Sequence, residues 1–257
     1  MIKTDCPLPG KTLDLPQRPE KPRKEGITAI TDIGIPLGEL VHILKSYHSL
    51  IDMAKLGIGT AYIEPLLEEK IACYKKYEIP VYFGGTLFEK YYSQGKLTDY
   101  LQFLDDCGIR CIEVSSGTLD IPPAQEIDLI RQLKEKFTVL VEVGKKENNP
   151  SFTTAKWISN TRNALDAGCD YVVLEGRNTS DAGIYDASGA LDQPLIEKIL
   201  KTTDKNHLIF EAATPKSQSQ LINSFGTNVN LGNIFIRDLL LLETQRMGLR
   251  EETFFIK

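Results

Sequence analysis

The stretch Val139–Pro150, VLVEVGKKENNP, starts as a strand meant for burial and then spends Glu142, Lys145 and Lys146 within a few residues. An apolar run that becomes charged only at its C-terminal end is the pattern of a barrel strand, whose body lies in the wall and whose end reaches the mouth. Seven other short apolar runs also look like strands: ITAITD (27–32), LIDMAKLG (50–57), VYFGG (81–85), CIEVSS (111–116), YVVLEGR (171–177), HLIFEAA (207–213) and NVNLGN (228–233). Between them lie helical stripes. PLGELVHILKSY puts Leu37, Leu40, Val41 and Leu44 on one face, and LTDYLQFLDDCG does so with Leu97, Tyr100, Leu101 and Leu104 before stopping at Gly108.

Eight alternations of strand and helix, in a chain of 257 residues, predict a (β/α)8 TIM barrel, since about 250 residues is the usual length of that fold. A doubly wound open sheet is the competitor, weakened because no G-x-G-x-x-G follows the first strand. Residues 1–25 hold five of the 13 prolines and little periodicity, and read as an irregular N-terminal arm. Residues 26–257 form a single barrel domain. The arm could cap the barrel bottom, touch a neighbouring subunit in a homo-oligomer, or hang loose.

With 42% hydrophobic residues, a net charge of −5 and no dense Lys/Arg block, the chain has no general attraction to nucleic acid or to an anionic membrane. No run of about 18 apolar residues is present, and the N-terminus lacks an apolar signal core, so a cytoplasmic protein is expected. Five scattered cysteines, Cys6, Cys73, Cys107, Cys111 and Cys169, do not make a disulfide framework, and His42, His48 and His207 lack metal spacing.

Polar residues collect at the strand ends. They are Asp32, Lys55 with GIGT, the glycine-rich Gly84-Gly85-Thr86, Glu113 with Ser115 and Ser116, Glu142 with Lys145 and Lys146, Glu175 with Arg177, Glu211, and Asn230 with Asn233. The strand bottoms carry almost nothing polar. A layer of ion pairs serving stability alone is the bland explanation, but all eight ends contribute, which favours a functional site. Period-two alternation puts Glu142 and Lys146 on the lumen face with Glu113, Ser115, Glu175 and Arg177, and Lys145 on the opposite face. Three glutamates from adjacent strands, Glu113, Glu142 and Glu175, then crowd one rim. Mg²⁺ suits such an all-oxygen set; neutralisation by Lys55, Lys146 and Arg177 is the alternative. Glycines at strand ends, with Lys216, Ser217 and Asn233 after strands seven and eight, suit a carboxylate or phosphate. The residues therefore point to an enzyme acting on small anionic molecules.

The motifs KPRKEGITAITDIGIP, KLGIGT, YFGGTLFEKYYSQGK, IEVSSGTLDI, VLVEVGKK, DAGCDYVVLEGR, LIFEAATPKSQ, NVNLGNI and LETQRMGLREETF occur in order from about Lys21 to Phe255. Together they resemble the phosphosulfolactate synthase family, which also takes in plant heat-stress-associated proteins. The resemblance implies a barrel lyase that adds sulfite to phosphoenolpyruvate with Mg²⁺, giving 2-phospho-3-sulfolactate, a step toward coenzyme M in methanogens. It implies that Lys146 of EVGKK is the catalytic general acid. Lys55, Gly85, Thr86, Ser115, Arg177, Lys216, Asn230 and Asn233 are expected to bind substrate, and Glu113, Glu142 and Glu175 the metal. The chain departs from its methanogen relatives at Ile33, where they carry lysine, at Ile58, where an aromatic is usual, at Ser116, where an acid is common, and in EAATPKSQ. These departures keep two alternatives open: a different enolpyruvyl or phosphorylated acid as substrate, or a non-catalytic stress-associated protein.

Overall fold

The computed structural model describes residues 12–145, 152–177, 179 and 181–256. Eight strands, β1 (Thr28–Asp32), β2 (Met53–Leu56), β3 (Val81–Phe83), β4 (Cys111–Ser115), β5 (Thr138–Val143), β6 (Tyr171–Leu174), β7 (Leu208–Glu211) and β8 (Leu231–Phe235), form one parallel sheet in the order β3-β2-β1-β8-β7-β6-β5-β4. The sheet curls into a nearly closed barrel. Its edges, β3 and β4, lie side by side, with no ladder between them among the described residues.

The helices are α1 (Leu37–Tyr47), α2 (Leu67–Lys76), α3 (Gly85–Ser93), α4 (Leu97–Asp106), α5 (Pro123–Lys134), α6 (Thr154–Asp166), α7 (Gln193–Leu200), α8 (Pro215–Phe225) and α9 (Leu239–Arg246). The sequence reading counts eight helices and misses α3, which starts directly at Gly85 where only a strand-end loop is expected. Leu87 and Phe88 of that segment are buried, and their spacing to Tyr91 and Tyr92 was a helical signal. The last strand also lies further along than expected, because Ile234 and Phe235 continue its pairing with β1.

Strand parity divides the interior in two. Val139, Val141 and Val143 of β5 pack outward with the helices, as do Ile30, Leu56, Val114 and Phe210. Each such side chain contributes about 1.5 to 3 kcal/mol when fully buried. Ala29, Met53, Tyr82, Cys111, Leu140, Val173 and Ile209 fill a small apolar lumen layer. Two residues on along most strands the lumen turns polar, at Thr31, Lys55, Glu113, Glu142, Glu175 and Glu211. Asp32, grouped above with the strand-end site, follows Ile30 outward and accepts from Lys70 Nζ at 3.0 Å and Tyr74 OH at 3.1 Å on α2. Thr31 is the β1 residue that faces the mouth.

The barrel bottom is more polar than the sequence suggested. Arg246, fully buried on α9, donates to the carbonyls of Thr227 and Val229 at 2.5 and 2.8 Å. The described part of the arm caps this end. Arg18 pairs with Glu243 at 3.2 Å and donates to Asn228 Oδ1 at 2.6 Å, while Arg23 reaches Asp52 at 3.1 Å. Of the three roles considered for the arm, capping is the one these contacts build. The four described cysteines are free. His48 stacks on Tyr77, consistent with a packing role.

Candidate active site

At the C-terminal ends of the strands lies a cleft of about 250 Å³. Lys55, Gly85, Thr86, Glu113, Glu142, Glu175, Arg177 and Asn233 all line it, so most of the residues singled out from sequence converge there. Alternation explains the convergence. Each of Lys55, Glu113, Glu142 and Glu211 stands two residues beyond a lumen-layer side chain of its own strand.

Lys55 is the electrostatic centre. Its Nζ lies 3.1 Å from Glu211 Oε1 and 3.3 Å from Glu113 Oε2. Burial alone would push the ammonium down, but the carboxylates of Glu113 and Glu211 outweigh it and hold Lys55 well above its usual value. Glu211, grouped with the strand ends but given no role there, is therefore the residue that sequence reasoning undervalued. It also accepts the Gly176 N–H at 3.1 Å.

Glu175 behaves in the opposite way. Burial, then the charges of Glu211 and Glu142, push its carboxyl well above the usual range, while the Arg177 N–H donates to its Oε1 at 2.7 Å. Of the pair, Glu175 holds the proton and Glu211, next to Lys55, stays ionised. Gly144 makes room for Glu175: its φ of +141° is left-handed, and a Cβ there would lie 2.3 Å from Glu175 Cβ. Three non-glycine residues with positive φ, Ile58 at 57°, Arg177 at 59° and Asn233 at 54°, also line the cleft. Each such residue costs about 1 to 3 kcal/mol, and strain of this kind gathers at functional sites.

The structure places other expected residues differently. Ser115 is fully buried behind the cleft, its hydroxyl 2.9 Å from Glu142 Oε1 and 2.5 Å from Glu89 Oε1. Asn230 sits at the barrel bottom, where its side chain bonds Ile27 N–H at 2.9 Å and the Leu208 carbonyl at 3.1 Å. It is a structural clamp, because β8 begins only at Leu231 and its pocket-facing end comes later. Lys216 donates to the Ser188 carbonyl at 2.8 Å and does not line the cleft. Beside it, Thr214 and Ser217 close a capping box on α8, each side chain accepting the other's backbone N–H. Lys145 steadies the loop after β4 through the carbonyls of Ser116 and Leu119 at 2.7 and 2.9 Å, as its outward parity implies. Lys146 lies outside the described residues.

Among the described residues the cleft carries four acidic side chains, Glu113, Glu142, Glu175 and Glu211, around the buried ammonium of Lys55, with Arg177 exposed at the mouth. That surplus of negative oxygen suits a hard cation or a proton. Among the described residues no three His, Cys, Asp or Glu side chains are grouped to hold a metal by themselves. Mg²⁺ needs fewer, since it usually takes one or two carboxylates together with water and substrate oxygens. Glu142 fits that requirement, and Glu175 does so once a cation displaces its proton. Glu113 is already engaged, by Lys55 and by the Gly85 N–H at 2.6 Å.

Comparison with known proteins gives the family and the fold. The chain is 36% identical over 248 residues to a phosphosulfolactate synthase of Bacillus subtilis, covering 95% of this chain and 98% of that one. It is 37% identical over 237 residues to the phosphosulfolactate synthase of Methanocaldococcus jannaschii, covering 90% and 94%. Among solved structures, the 3-hexulose-6-phosphate synthase of Salmonella typhimurium superposes with a TM-score of 0.54 at 15% identity, over 86% of this chain and 99% of that one. The YdjI aldolase from Escherichia coli K12 gives 0.54 at 10% identity, over 83% and 76%. These two likenesses support the barrel fold alone. Residues 16–252 match the model of (2R)-phospho-3-sulfolactate synthase (ComA), and the chain belongs to that family.

Proposed function

We propose that the chain is a lyase that adds sulfite to phosphoenolpyruvate to form 2-phospho-3-sulfolactate. The observation that carries the reading is the match over nearly the whole chain to relatives named for this product, with most of the expected residues gathered in one cleft. At about 250 Å³ the cleft is smaller than the ~300 to 1,000 Å³ usual for drug-sized ligands, and it suits a three-carbon acid.

In this reading the sulfur lone pair of sulfite attacks the methylene carbon. The alkene electrons move toward the neighbouring carbon and its carboxylate, and that carbon then takes a proton. The phosphate ester is untouched. Lys55, held as an ammonium by its two carboxylates, would stabilise the charge that grows on the substrate carboxylate. Arg177, Thr86 and Asn233 would orient the anionic groups from the mouth. The family resemblance makes Lys146 the proton donor, and period-two alternation in the sequence is what would turn it toward the lumen. Glu142 and Glu175 would hold Mg²⁺, which supplies further charge stabilisation when bound.

Supported by a net charge of −5, the reading has small anionic substrates and neither nucleic acid nor membrane as partner. Among the described residues no helix is long and apolar enough to cross a membrane. A cytoplasmic homo-oligomer completes the proposal. The test is incubation with phosphoenolpyruvate, sulfite and Mg²⁺, followed by mass detection of the adduct. Product that requires all three components supports the proposal; unchanged phosphoenolpyruvate rejects it, and product in chelator rejects the role of Mg²⁺.

A further inference from the structure

The carboxylates of β4 and β5 stand beside the seam between β3 and β4, where no strand ladder holds the wall together among the described residues. Helix α3 covers the top of this seam and is fastened in both directions. From β4, Glu113 Oε1 accepts the Gly85 N–H at 2.6 Å. From α3, Glu89 reaches back, its Oε2 accepting the Thr118 N–H at 2.9 Å and its Oε1 the Gly117 N–H at 3.2 Å and the Ser115 hydroxyl at 2.5 Å. The same hydroxyl lies 2.9 Å from Glu142 Oε1, and Ser115 and Glu142 are register partners on adjacent strands. The approach is close: a Cβ on Gly85 would lie 2.4 Å from Ser115 Cβ, so only glycine lets α3 sit here.

We infer that Glu89 is a positioning residue for the sulfite addition: it fixes the place of Ser115, whose single O–H is shared between Glu89 Oε1 and Glu142 Oε1, and so sets where Glu142 stands in the cleft. The inference rests on the proposed reaction. Glu89 is buried and does not line the cleft; it borders a neighbouring pocket that shares Thr86 with the cleft. A staple for the loop after β4 would need only the two backbone N–H groups. Contact with Ser115 adds a path to a cleft carboxylate, and partners one step removed from such ligands typically change activity 10 to 100-fold when lost.

The experiment is a double-mutant cycle with Glu89→Gln, Ser115→Ala and the pair, measuring kcat/KM for phosphoenolpyruvate with sulfite and Mg²⁺, alongside thermal melts. Each single change is expected to lower kcat/KM about 10 to 100-fold in folded protein, and the pair to be no worse than the more impaired single. Unimpaired kcat/KM in Glu89→Gln, or losses that multiply in the pair, would overturn the inference while the wild type stays active. An inert wild type would overturn the proposed reaction and this inference together. Should Glu89→Gln fail to fold, Ser115→Ala decides: a kcat/KM loss in folded protein supports the relay and wild-type kinetics reject it.

Discussion

Lys55 Nζ lies 3.1 Å from Glu211 Oε1, joining β2 to β7 across the lumen between residues 156 positions apart. With Glu113 on the other side, one ammonium serves two buried carboxylates. Lys55→Met would leave both without their counter-charge. We expect a loss of about 3 to 5 kcal/mol in unfolding free energy, read from urea denaturation, because a broken buried pair leaves charge unpaired. A smaller loss in Lys55→Met/Glu211→Gln than in Lys55→Met would confirm the coupling.

Glu175 carries the opposite signature. Its folded pKa is raised by burial and by Glu211 and Glu142, so the folded state binds a proton that the unfolded state gives up above about pH 4.3. Stability attributable to this group therefore falls as pH rises from there to the folded pKa. Glu175→Gln mimics the protonated form. In metal-free buffer at pH 8 it should melt above the wild type, and the difference should vanish near pH 4; a lower Tm at pH 8 would contradict the assignment.

Lys146→Ala tests the proton donor. Positioned acid-base groups contribute about 10² to 10⁴-fold, so kcat should fall by that range while KM for phosphoenolpyruvate stays within a few fold. Turnover at the wild-type rate would assign the proton to another group.

The bottom of the barrel should be separable from the chemistry. Arg18→Ala breaks the buried contact with Glu243 and removes a donor from Asn228 and the Gly26 carbonyl. A loss of about 3 to 5 kcal/mol is expected, seen as a lower urea midpoint at unchanged slope, with kcat preserved at low temperature.

Much of the fold was legible because strand and helix periods differ. The apolar run Val139–Val141 announces a wall strand, and its switch to Glu142 and beyond announces the mouth. The same two-residue parity sent Lys145 outward, where it holds the loop after β4. Helix α3 was hidden because its paired glycines mimic a strand-end loop. Asn230 was misplaced because β8 starts three residues later than the sequence run. The chain position of Lys216 suits a phosphate ligand, but the α8 capping box and the Ser188 carbonyl use that corner otherwise.

Local sequence thus determined the alternation of elements, the face on which each strand residue falls, and the family motifs, since these depend on neighbours along the chain. Tertiary structure alone decided which charges meet. The pairing of Lys55 with Glu211, the proton on Glu175 and the reach of Glu89 through Ser115 to Glu142 depend on how strands far apart in sequence are set around the barrel. Coulomb and desolvation energies follow those through-space distances.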